Sequence, residues 1–187
     1  MDIAPYLEHE ALLKKRLPQL TPRQRMFFTA WCCDRLWADF GETYLSLIGA
    51  ERATLLRDTY DHLWSDLLKN RPIRETEIHS LLPVLDKLGD EHADYIIELD
   101  NQETATNLCY HYAMAFAVTE SDDEAFYAGM ELLNLADHFS NGGMTDPIFI
   151  GEVQRQREML KYLSGRSLFD RGDRFLFREE SPFWLVE

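Results

Sequence analysis

"TPRQRMFFTAWCCDRLWADF", residues 21–40, decides the fold. Thr21 followed by Pro22 and then Gln24 has the form of a capping box with proline at the first helical position. Behind it Phe27, Ala30, Trp31, Asp34, Leu36 and Trp37 recur at mixed spacings of three and four. Apolar side chains therefore cover most of the helix circumference, and such a helix belongs at the centre of a helical domain. Gly41 is a point where it ends or kinks, and Gly49 closes its extension.

Helical lengths continue on both sides. "APYLEHEALLKKRL" precedes it and stops near Pro18. In "ERATLLRDTYDHLWSDLLKN" Leu55/Leu56, Tyr60, Leu63/Trp64 and Leu67/Leu68 recur at helical spacing until Asn70 and Pro72 end the run. "ETEIHSLLPVLDKLG" reads as a helix that is irregular before Pro83 and capped by Gly89. "DNQETATNLCYHYAMAFAVTE" places Cys109, Ala113, Phe116 and Ala117 on one stripe. "SDDE", Ser121 to Glu124, is a second capping box, and Asp146 with Pro147 opens the last helix.

No strand–helix alternation occurs, which excludes doubly wound and barrel enzymes. The expectation is an all-α, single-domain chain, a bundle of about seven helices over residues 1–166. A nonhelical aromatic segment, 167–187, packs on it, with "RFLF" and "FWLV" as extended pieces. No internal repeat or low-complexity linker is present.

With 187 residues, 45% of them hydrophobic and 12% aromatic, the chain is long and apolar enough for a real core. The net charge is −14, and its location says more than its size. Of the 33 acids, 14 lie between Leu88 and Gln154, where there is no Lys or Arg; the remaining 19 balance the 19 bases. Such a field repels nucleic acid and anionic membranes and attracts basic partners. Cys32, Cys33 and Cys109 sit in apolar contexts, with no disulfide framework. The N-terminus lacks a signal-peptide layout, and no apolar run reaches membrane-spanning length. These features lead to the expectation of a cytoplasmic protein.

Catalytic signatures are sparse. No Glu-x-x-His pair of a helical diiron centre occurs, nor a nucleophile elbow or phosphate loop. Asp58 and His62 share a helix face, as do Asp90, Asp94 and Glu98, so a carboxylate and histidine metal enzyme using these with His92 is one alternative. The plainer reading makes Asp58, Asp61 and Asp66 a solvated helix face. The histidines are scattered, with His111 beside the apolar stripe. The basic stretches at 14–16 and 154–157 are opposed by the acidic bulk, and "RGD" at 171–173 reads as a turn. Arg25 and Arg35 stand in an aromatic helix and need acidic partners; for Arg35 these are Asp34, Asp39 or an acid from 90–104.

Ala30, Cys32 and Arg35 in "QRMFFTAWCCDRLWADF", with Phe28 offset by one register, resemble the uncharacterised helical YjaG-like family of bacterial proteins. "YDHLWSDLL" and "NLCYHYAMAFAV" are similar in placement to later helices of that family. The resemblance spans about residues 20–140, by helical packing patterns of the kind that bury one stripe; the tail departs from it. It implies an all-α bacterial cytosolic fold and brings no catalytic residues.

In general character the chain also resembles immunity proteins that neutralise bacterial toxins. That likeness implies a non-enzymatic module, without metal or cofactor, whose acidic face occludes a basic toxin by electrostatic complementarity. The candidate partner-binding residues are Asp90, Asp94, Glu98, Asp100, Glu120, Asp122, Asp123, Glu124 and Glu131, expected on one exterior patch. The remaining alternative is a structural or oligomeric protein that associates through Phe175, Phe177, Phe183 and Trp184.

Overall fold

Thr21 caps the central helix as its spacing requires. Its side chain accepts from the Gln24 amide at 3.3 Å, and Gln24 Oε1 accepts from the Thr21 amide at 2.7 Å. The helix so opened, α2 (Pro22–Leu47), runs 26 residues and passes through Gly41 without ending there. Every residue from Met26 to Leu36 is buried, as apolar coverage on all sides demands. The structure, a computed structural model, describes residues 3–177. Around α2 stand α1 (Ala4–Arg16), α3 (Ala50–Leu68), α4 (Glu75–Ala93), α5 (Asn101–Thr119), α6 (Asp122–Phe139) and α7 (Pro147–Ser164). The fold is all-α, and the described residues contain no strand.

Short connections make sequential helices from α2 onward neighbours, while α1 packs on α6 and α7. Only Ile48 and Gly49 separate α2 from α3, and the sharp reversal uses a φ of +88° at Gly49, which glycine adopts without strain. α5 lies along α2 and is flanked by α4 and α6, while α7 closes the opposite side against α6 and α2. Trp31, Trp64, Tyr44, Tyr60, Tyr110 and Phe116 fill the middle.

Helix ends hold the departures from sequence. α3 stops as expected, with Asn70 in the left-handed region (φ +53°) and Arg71 N–H returning to the Asp66 carbonyl at 2.9 Å. α4 passes Pro83 and Gly89 and ends four residues beyond that glycine. Its left-handed terminus is Tyr95 (φ +58°): Tyr95 N–H donates to His92 O at 3.0 Å and Ile96 N–H to Glu91 O at 2.8 Å. "SDDE" forms only half a capping box. Ser121 accepts from the Asp123 amide, but its own amide donates to Thr119 Oγ1.

The segment after α7 docks in cis. Phe169 is buried against Phe27, with ring centroids 4.2 Å apart, and Trp31 Nε1 donates to the Leu176 carbonyl at 2.9 Å. "RFLF" is not extended: a 3-10 turn takes up Asp173–Phe175, because the Asp173 and Gly172 carbonyls each accept an amide three residues on. "FWLV", with Phe183 and Trp184, lies outside the described residues.

Candidate functional site

Glu152 shows why a count of acids is not a surface. It is fully buried on α7 and forms a two-pronged pair with Arg35, both contacts at 2.7 Å. The partner of Arg35 expected from Asp34, Asp39 or the 90–104 region is therefore a residue 117 positions away. Gln156 donates to Glu152 at 3.0 Å and to the Gly129 carbonyl at 2.8 Å, and its Oε1 accepts from His9 at 2.9 Å. This network joins α1, α2, α6 and α7. Burial lowers the pKa of His9, so the neutral ring is the stable form. Glu103 is also buried.

Asp66, expected on a solvated face, is buried and paired with Arg71 at 2.8 Å and Arg74 at 3.3 Å. Asp58 and Asp61 are exposed as expected. The metal alternative does not assemble. His62 turns to Glu77 at 2.8 Å, and His92 lies within reach of the Ile97 carbonyl and Thr104. Among the described residues no three His, Cys, Asp or Glu side chains gather as a metal site would require. Burial pushes all three cysteine thiols up, the opposite of what a nucleophile needs.

The nine candidate acids do not form one patch. Asp100 and Glu120 bracket the 19 residues of α5, which at 1.5 Å per residue sets them roughly 30 Å apart along its axis. At the Glu120 end countercharges are present. Asp122 pairs with Arg25 at 2.7 Å, and Asp123 lies in the field of Lys14. Glu120 sits in the left-handed region (φ +52°) as the cap of α5, and Asp123 is exposed. Glu124 and Glu131 are half-buried, and desolvation raises the pKa of both. Glu120 also borders a cleft of about 420 Å³ beside Arg23, Met26, Arg71, Glu75 and Phe116. The two arginines there are engaged: Arg23 donates to the Asp66 and Leu67 carbonyls, and Arg71 holds Asp66.

The other end is different. The end of α4 and the α4–α5 loop carry Asp90, Asp94, Glu98 and Asp100, all exposed, and none has an ion-pair partner among the described residues. Asp100 caps α5 by accepting from the Gln102 and Glu103 amides. The nearby cations are held by Glu91, which takes both Arg52 nitrogens at 2.6 and 2.8 Å and lies 3.8 Å from Lys87. The Arg52 pair holds the Glu91 carboxyl below its ordinary range. Between these acids Tyr95 and Ile96 project outward, 87% and 70% exposed, while Ile97 and Leu99 pack inward on the core. Tyrosine in a position that glycine favours is strained. The sequence signal for this loop was the acids; the two apolar side chains among them were missed, because alternation alone does not tell which face of a loop is out.

No described helix is long and apolar enough to cross a membrane. No protein-family model, no curated protein and no solved structure matches the chain.

Proposed function

We propose that the chain is a non-enzymatic protein-binding module, an immunity protein that neutralises a cognate bacterial toxin by covering the toxin's basic active-site surface. The observation that carries this reading is the end of α4 with the α4–α5 loop. Asp90, Asp94 and Glu98 stand without an ion-pair partner among the described residues around the outward-facing Tyr95 and Ile96, the neighbouring cations being held by Glu91. Apolar anchors within a charged rim are the anatomy of a binding hot spot, and the rim's uncompensated sign selects a basic partner. The engaged arginines of the cleft and the raised thiol pKa values favour binding over chemistry. The resemblance to YjaG-like proteins belongs to the same proposal and adds no residue to it.

Protection of cells that express the toxin partner tests this function. Reversal of Asp90, Asp94 and Glu98 to lysine is expected to abolish protection while the protein remains folded. Reversal of Asp122, already paired with Arg25, is expected to weaken it much less. Full protection by the triple variant would refute the assignment to this loop.

A further inference from the structure

Asp34 and Arg174 form a second buried charge site, away from the acidic loop. The Asp34 side chain is 2% exposed, and its Oδ1 accepts from Arg174 Nε at 2.8 Å and Nη2 at 2.6 Å, and from Tyr60 Oη at 3.0 Å. The guanidinium lies over the Trp64 ring at 4.8 Å and the Tyr60 ring at 5.6 Å. A desolvated carboxylate beside aromatic rings is a receptor for a planar cation, and it favours guanidinium over ammonium because one fork satisfies both the oxygen and the π-faces.

The occupant is tethered by side chains alone. Among the described residues no backbone hydrogen bond joins 167–177 to a helix; the amide bonds of Asp173, Phe175 and Leu176 stay within the segment. Side chains hold it: Phe169 in the core, Arg174 in the slot, Asp173 on the Tyr162 hydroxyl and the Arg166 guanidinium, and Trp31 on the Leu176 carbonyl. Phe175 remains 49% exposed. Segments held in this way open locally at less than the global unfolding free energy.

We propose that the slot between α2 and α3 is an arginine-binding site, filled in cis by Arg174, that takes the arginine side chain of a basic partner polypeptide in exchange. The chain's net charge of −14 concentrates such partners around it. The inference goes beyond the proposed function and holds or fails without it.

The test uses the full chain. In Arg174→Ala, methylguanidinium is expected to bind by calorimetry and to raise the thermal midpoint, with methylammonium about tenfold weaker. Asp34→Asn in the same background is expected to remove that difference. In the unmodified chain, an amidated tetra-arginine peptide is expected to shift the Trp31 indole N–H resonance as Leu176 leaves it; tetralysine is not. Should Arg174→Ala fail to fold, Arg174→Lys with the same two ligands replaces it. Equal binding of the two cations overturns the site. A Trp31 signal that stays fixed at saturating tetra-arginine overturns the exchange and leaves Arg174 a permanent latch.

Discussion

Arg35 and Glu152 meet at the centre of the bundle, their side chains 1% and 0% exposed, with Arg35 also 5.0 Å above the Trp31 ring. Removing one member strands the other in a low-dielectric interior. Arg35→Met or Glu152→Gln alone is expected to lower stability by about 3–5 kcal/mol, whereas Arg35→Met with Glu152→Leu recovers most of that loss. Urea denaturation of the three variants checks it.

His9 makes stability depend on pH. Burial lowers its folded pKa below the 6.5 of the unfolded chain, so the unfolded state binds the extra proton first. Stability is therefore full above that value and falls as pH drops through it, until the folded ring also protonates. The charged groups facing His9 are Glu152, which favours the proton, and Arg157, which opposes it. His9→Gln is expected to flatten this part of the curve, measured as denaturation midpoints between neutral and mildly acidic pH.

Two helical glycines predict opposite outcomes. A Cβ at Gly89 meets nothing within 4 Å, so Gly89→Ala is expected to stabilise α4 by about 0.5–1 kcal/mol. A Cβ at Gly129 would lie 3.1 Å from both Gln156 Oε1 and Leu13 Cδ1, and Gln156 is fixed by its network. Gly129→Ala is expected to destabilise despite its better helix propensity, and thermal melts separate the two.

Tyr95 sets stability against binding. Glycine at this left-handed terminus relieves a strain of about 1–2 kcal/mol, part of which returns as added freedom of the unfolded chain. Tyr95→Gly is expected to fold more stably by roughly 1 kcal/mol and to release its partner faster. A variant that is more stable and binds unchanged would show that the ring is not an anchor.

Most of the fold was legible because its signals are local. The Thr21–Gln24 box, the Asn70 stop and Asp146 before Pro147 act within one helical turn, and each forms as read. Gly89 misled because a glycine marks a helix end only when the chain turns there, and the Ile96 amide finds its carbonyl at Glu91 instead. The partner of Arg35 and the burial of Asp66 and Glu152 depend on which helices become neighbours, which spacing along one helix does not encode. For the candidate site, the charge excess was visible in the sequence. Its division between the two ends of α5 emerges only once α4, α5 and α6 are laid side by side.

The most direct test of the account is the association rate of the basic partner captured from native cells, measured against ionic strength for the unmodified chain and for the Asp90→Lys/Asp94→Lys/Glu98→Lys variant. Steered association is expected to slow steeply with salt, and the variant to associate at least about tenfold more slowly at low salt with little change in dissociation. An association rate indifferent to both salt and charge reversal would contradict it.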